Sequence, residues 1–140
     1  MTNIINYEII PGIGFEQVKI GMSTEQLKQV LGDPDEIENL DDEFFDDVFE
    51  AIWHYNRFYI YPVIDMDENM IVSIMCDHPD LTLNNVKLMK MSIPELKDHL
   101  KNCGAKNIEA DEECIECIGY GLNVMLDDAE IDLFDIEEAG

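Results

Sequence analysis

Positive charge is what this sequence has least of. Only 8 lysines and arginines stand against 32 aspartates and glutamates, for a formal net charge of −24. No lysine or arginine falls between Lys28 and Arg57, and none follows Lys106. So few cations make a poor ligand for a phosphate backbone, and direct nucleic-acid binding is not expected. Long apolar runs are also missing. None approaches the roughly 20 residues of a membrane span, and Met1–Ile10 has neither the basic nor the apolar region of a signal peptide. The expectation is a cytoplasmic protein that does not enter membranes, with Cys76, Cys103, Cys114 and Cys117 as reduced thiols.

Recognisable catalytic motifs are scarce too. There is no glycine-rich phosphate loop and no nucleophile elbow around a serine or cysteine. Cys76-Asp77-His78-Pro79 sets a thiol, a carboxylate and an imidazole side by side, but adjacency in sequence is not triad geometry, and the segment reads as a linker. Cys114-x-x-Cys117 lies in a strand-like stretch, where residues three apart point to opposite faces, so structural thiols are expected rather than a redox or zinc pair. Asp65-x-Asp67-x-Asn69 starts like a calcium loop, yet its sixth position is Met70 and its twelfth Cys76, which leaves an acidic hairpin turn. His54, His78 and His99 have no evident nucleophile to serve. No catalytic residue, metal site or cofactor is expected, and the chain is read as a binding protein rather than an enzyme.

What is present is ample material for a core. Hydrophobic residues make up 46% of the 140, so the charge does not imply disorder. The reading is a single domain over residues 1–140 with internal repeats at about 13–76 and 81–136. Met22-Ser23-Thr24-Glu25-Gln26-Leu27-Lys28-Gln29-Val30-Leu31 aligns without a gap on Met91-Ser92-Ile93-Pro94-Glu95-Leu96-Lys97-Asp98-His99-Leu100. Each copy opens with a capping box, Ser23 with Gln26 and Ser92 with Glu95, and Gly32 and Gly104 supply the stops. Strand-like segments follow: Ala51–Asn56, Phe58–Ile64 and Met70–Cys76, then Glu113–Ile118, Gly121–Leu126 and Ile131–Ile136. The expected fold is α+β, two tandem repeats of helix plus three-stranded antiparallel meander, with the helices on one face of the sheet. A further short helix is expected at Asp41–Glu50 from the near-helical spacing of Phe44, Phe45, Val48 and Phe49.

Alternation along the hairpins assigns the sheet faces. Ile115, Cys117, Leu122 and Val124 share a core face, as do Trp53, Tyr55, Phe58 and Ile60. Ile52, His54, Tyr59 and Tyr61 fall on the other face, which is semi-polar and aromatic and so suited to meeting a partner.

Ile20-Gly21-Met22-Ser23, followed by Leu27, Leu31-Gly32 and Pro34, resembles the motif of the SmpA/OmlA outer-membrane lipoprotein family. Trp53-x-Tyr55 and the acidic turn before Ile71-Val72 fit the same pattern. The β-lactamase-inhibitory-protein fold is a tandem version of that unit, and the resemblance implies helices on one face of a sheet whose other face grips a target. Size, acidity and this architecture together resemble bacterial immunity proteins, which neutralise a cognate toxin inside the producing cell. The resemblance implies a basic protein partner, a toxin and above all a nuclease, occluded at its cleft or at an exosite. Two other roles are compatible with the composition: a DNA-mimicking regulator of a DNA-binding protein, and a non-enzymatic assembly adaptor of the SmpA/OmlA-like kind.

The residues assigned to partner binding are Asp41, Asp42, Glu43, Phe44, Asp46, Asp47 and Glu50, together with His54, Tyr59 and Tyr61. Carboxylates steer a basic surface and aromatics anchor it. Replacing both Asp46 and Asp47 by Lys is expected to slow association with a basic partner several-fold at low salt while circular dichroism stays unchanged. Unaltered affinity in that variant would remove the segment from the interface.

Overall fold

The fold is that of a computed structural model, which describes residues 6–42 and 45–139, with side chains described throughout these except at 41–49. Helix α1 (Thr24–Leu31) is followed by β1 (Glu36–Asp42), β2 (Phe45–His54), β3 (Ile60–Asp65) and β4 (Met70–Cys76). A small hairpin of β5 (Thr82–Leu83) and β6 (Val86–Lys87) leads into α2 (Ile93–Asn102). The chain then forms β7 (Asn107–Ala110), β8 (Cys114–Ile118), β9 (Leu122–Asp127) and β10 (Glu130–Glu137).

Both helices start where the sequence says they should. Ser23 and Ser92 each accept the N–H of the residue three on, and Gln26 and Glu95 reach back to the cap N–H, which satisfies amides that a helix start leaves open. Pro94 lies in the first turn of α2, where it interrupts no bond. Each helix buries one narrow apolar stripe, Leu27 with Leu31 and Leu96 with Leu100.

The expectation of two three-stranded meanders is overturned. One continuous antiparallel sheet of 8 strands runs in the order β1-β2-β3-β4-β10-β9-β8-β7, with the β5–β6 hairpin forming a separate 2-stranded sheet. Two edge strands were not anticipated. β1 has its two apolar residues, Ile37 and Leu40, three apart, and β7 is four residues long, so neither shows the alternation that marks a half-buried strand. The helix expected at Asp41–Glu50 is also absent: the backbone of Phe45–Glu50 is the first half of β2. Pairing with β1 along a ten-residue strand outweighs the local spacing of the phenylalanines. Glu43 and Phe44 lie outside the described residues.

The join between the halves of the sheet is β4 on β10, with Phe134 opposite Cys76 and Ile136 opposite Ile74. All four of these residues are fully buried. Sheet residues of alternate parity, including Ala51, Tyr55, Ile60, Ile71, Val124 and Ile115, meet the leucines of both helices and the β5–β6 hairpin in a single core. The core faces read from the two hairpins are found as expected, with Phe58 only partly buried against the cluster.

The amino-terminal segment closes the same layer by backbone bonds to distant strands. Ile9 N–H donates to the Thr82 carbonyl, Gly12 N–H to that of Gly121 and Gly21 N–H to that of Ile71. At the second of these contacts two glycines touch. A Cβ on Gly121 would stand 2.4 Å from the Cα of Gly12, and its φ is +87. Gly21 also has a positive φ, +90, but a Cβ there would meet nothing within 4 Å. Gly121→Ala is therefore expected to cost about 3 kcal/mol or more, combining overpacking with strain, and Gly21→Ala about 1 kcal/mol from strain alone. Urea denaturation of the two variants, showing equal losses, would contradict the close approach.

Candidate functional site

With helices, hairpin and amino-terminal segment on one side, the other side of the sheet forms the candidate site. Register defines one row across it: Glu36, His54, Tyr61, Met75, Asp135, Asn123, Glu116 and Glu109, one residue from each strand. A second row carries Glu38, Ile52, Val63, Ser73 and Glu137. Among the described residues no lysine or arginine belongs to this face. The cations stand elsewhere: Lys28, Lys97 and Lys101 on the helices, and Arg57 against the end of α1, where it binds Asp35 at 2.7 Å and the Leu31 carbonyl at 2.7 Å.

Like charges sit directly opposite one another on the face, Glu50 with Asp65 and Glu116 with Glu109. Such pairs destabilise a sheet, and nothing in the fold requires them. Apolar side chains are interleaved among the carboxylates. Ile52, Val63, Met75, Met125 and Leu133 are half-buried, and Ile118 is exposed. Beyond Cys114 and Met125 the face runs into a groove of about 850 Å³, floored by Ile93 and Leu126 and rimmed by Asp111, Glu112, Glu113, Asp127 and Asp128.

Asp135 sits at the centre of this surface, on a strand paired on both sides. Its Oδ1 is buried and has no hydrogen-bond partner. Burial, with a smaller push from the charge of Glu137, raises its carboxyl to about 6. Its neighbour Asn123 is held firmly: the amide Nδ2 donates to Glu137 at 2.9 Å, and Oδ1 accepts the Cys117 N–H at 3.1 Å. Asn123 thus turns its bonds towards Glu137 and Cys117, and Asp135 Oδ1 stays without a donor.

At the other end of the row, Tyr61 donates its hydroxyl to Asp77 at 3.2 Å. Burial, reinforced by that carboxylate, pushes Tyr61 up to about 12, and burial also raises Asp77. The His54 ring lies 5.5 Å from that of Tyr61, and its Nε2 is 3.0 Å from Glu38, an ion pair when the imidazole is protonated.

The structure thus gathers Glu50, His54 and Tyr61 on one face. Tyr59 stands apart at the β2–β3 turn. It is 44% exposed, has a φ of 58, and packs its ring edge-on against His78 at 5.2 Å. Asp41, Asp42, Asp46 and Asp47 belong to the β1 and β2 backbones, and their side chains are not described. Missed from the sequence were Asp135, Glu137, Glu38 and the Asp77 partner of Tyr61. Asp135 did leave a signal, as a carboxylate between Phe134 and Ile136 in an alternating strand, but one acid among 32 has little to set it apart.

The cysteines offer no activated thiolate. Burial pushes Cys76 up to about 12 and Cys117 to about 11, and it raises Cys114, aided by Asp111, Glu116, Asp135 and Glu137. Cys103 lies 3.5 Å from the His99 Nε2, which itself contacts the Leu83 carbonyl at 2.8 Å, so the pair fastens α2 to the small hairpin. Among the described residues no helix is long and apolar enough to cross a membrane. No protein-family model, no curated protein and no solved structure matches the chain.

Asp135 makes stability depend on pH with a definite sign. Its folded pKa, about 6, lies above the usual aspartate value, so the folded state holds this proton more tightly than the unfolded chain does. The resulting stabilisation is complete below about pH 4 and is lost as pH rises through 6. Allowing for partial solvent screening, the loss is about 2 kcal/mol. Asp135→Asn is expected to melt higher than the parent at pH 7.5 and to lose most of that advantage at pH 4. Parallel melting curves for the two proteins across that range would contradict it.

Proposed function

We propose that the chain is an inhibitor of immunity type, which neutralises a basic protein toxin, a nuclease above all, by laying the open sheet face over its cationic cleft or an exosite beside it. The observation that carries this is the charge segregation: eight strands present carboxylates among half-buried apolar side chains, and the described face contributes no lysine or arginine. Opposed fields speed encounter and penalise wrong partners, while interleaved aromatics and methionines give area to bury once contact is made. The like-charge pairs across strands are a standing cost to the isolated protein that a cationic partner removes. A nuclease must itself hold cations where its substrate binds, which makes its cleft the complementary surface. Four free cysteines with raised thiol pKa values suit action in the reducing cytosol.

The test is a pull-down with the purified chain from the lysate of its own cell, at low and high salt, with nuclease activity assayed on whatever is retained. One dominant basic protein that loses its nuclease activity when bound is the expected result. Glu116→Lys with Glu137→Lys should slow its association about tenfold at low salt. A crowd of basic proteins released together by salt would overturn inhibition in favour of nucleic-acid mimicry. Retention unaffected by salt and by the two substitutions would point to an assembly adaptor that uses another surface.

A further inference from the structure

The open face treats its carboxylates unequally. Those near the edges, such as Glu36, Glu38, Glu109 and Glu116, are exposed to solvent. Asp135 is not. Register surrounds it with Met75 on β4 and Asn123 on β9, with Leu133 and Glu137 two residues away on its own strand. Met75 and Leu133 are half-buried and Asn123 is 7% exposed, so the carboxylate stands in a largely desolvated setting with one oxygen unpartnered. A buried acceptor without a donor is uncommon in a finished fold and calls for an explanation. Here the fold gains nothing from the charge, because Phe134 and Ile136, with Ile131 packed beside them, supply what β10 gives the core.

We propose that Asp135 is the central anchor of this docking surface: its half-buried side chain turns the sealed Oδ1 outward, between Met75 and Leu133, when the partner seats an arginine guanidinium there. The proposal rests on the reading of the open face as the surface for a basic protein. An arginine suits the place better than a lysine. Its guanidinium is planar and weakly hydrated, it tolerates the apolar flanks, and it can reach the Glu137 carboxylate alongside, whereas an ammonium would surrender a tight hydration shell to sit there. The groups that face Asp135 are known on every neighbouring strand. β3 brings Tyr61, β4 brings Met75 and Ser73 with Asp77 just beyond its end, β10 itself brings Glu137, and β8 brings Cys114 and Glu116, while β9 brings only Asn123 and Met125. Among these described residues there is no lysine or arginine, so none of them supplies a positive charge at this point. Binding should then draw the carboxyl down from its raised position, and a fall in pH through that position should loosen the complex.

The direct experiment uses nona-arginine and nona-lysine peptides as probes, with binding followed by fluorescence anisotropy at low salt and pH 7.5. The parent protein should prefer the arginine peptide about tenfold, and Asp135→Asn should reduce that preference to near unity while melting no lower than the parent. Asp98→Asn, on the helix side, should keep it. A second measurement needs no variant. The carbon-13 carboxyl signal of Asp135, followed by NMR, should titrate at lower pH when nona-arginine is bound. An unchanged titration, or an undiminished arginine preference in Asp135→Asn, would overturn the anchor. If Glu38→Gln with Glu116→Gln weakens both peptides while Asp135→Asn changes neither, the anchor falls but the docking face stands. If none of these changes on the sheet alters binding of either peptide, the docking face falls with it.

Discussion

The pairing of β4 with β10 is the contact on which the rest of the architecture depends. Each half of the chain contributes a meander with a helix in front of it, and each alone would have two exposed edges and a thin core. Joining the last strands of the two halves removes one edge from each and merges the apolar sides into one continuous layer around Ile74, Cys76, Phe134 and Ile136. Main-chain bonds also fix which face is which. Sliding this register by one residue would turn Asp135 into the core and Phe134 into solvent, so burial of the phenylalanine holds the acid on the open side. The remaining edges are blunted, β1 by acidic side chains and β7 by its shortness.

From that arrangement follows the separation of charge. Lysines and the arginine are used where they serve the fold. Arg57 collects the carbonyls of Leu31 and Asp33 at the end of α1 and lies over the rings of Tyr55 and Phe58, and Lys28 lies over Trp53. Among the described residues the open face receives none. A face with cross-strand carboxylate pairs and a desolvated aspartate is less stable than the fold permits, and natural sequences keep such costs where a surface has work to perform.

How much of this could be read beforehand differs from element to element. The helices were legible because capping boxes and apolar stripes are local, and local chemistry decides where a helix begins. The inner faces of the β2–β3 and β8–β9 hairpins were legible because Trp53, Tyr55, Ile115 and Val124 alternate with residues such as His54, Asn56, Glu116 and Asn123. Strand β1 was not, since a run such as Glu36–Asp42 acquires strand character only from the partner beside it. The phenylalanines around β2 misled for the same reason, their spacing being compatible with a helix until long-range pairing is known. Of the open-face residues, His54 and Tyr61 could be placed together from alternation alone. Asp135 required knowing that β10 is central, which depends on contacts between segments far apart in the chain.

The amino-terminal segment has a consequence for how the protein is made. Its backbone is tied to Thr82, Gly121 and Ile71, and Tyr7 stacks on His78 at 3.7 Å. Ile9, Gly12 and Gly21 therefore have their full set of backbone partners only after residue 121 has been synthesised, and the sheet cannot close until β10 emerges behind it. A topology this rich in distant contacts folds slowly, and its strands wait with open edges in the meantime. The dense negative charge then has a second use, keeping incomplete chains apart from one another until the final strand arrives to finish the sheet.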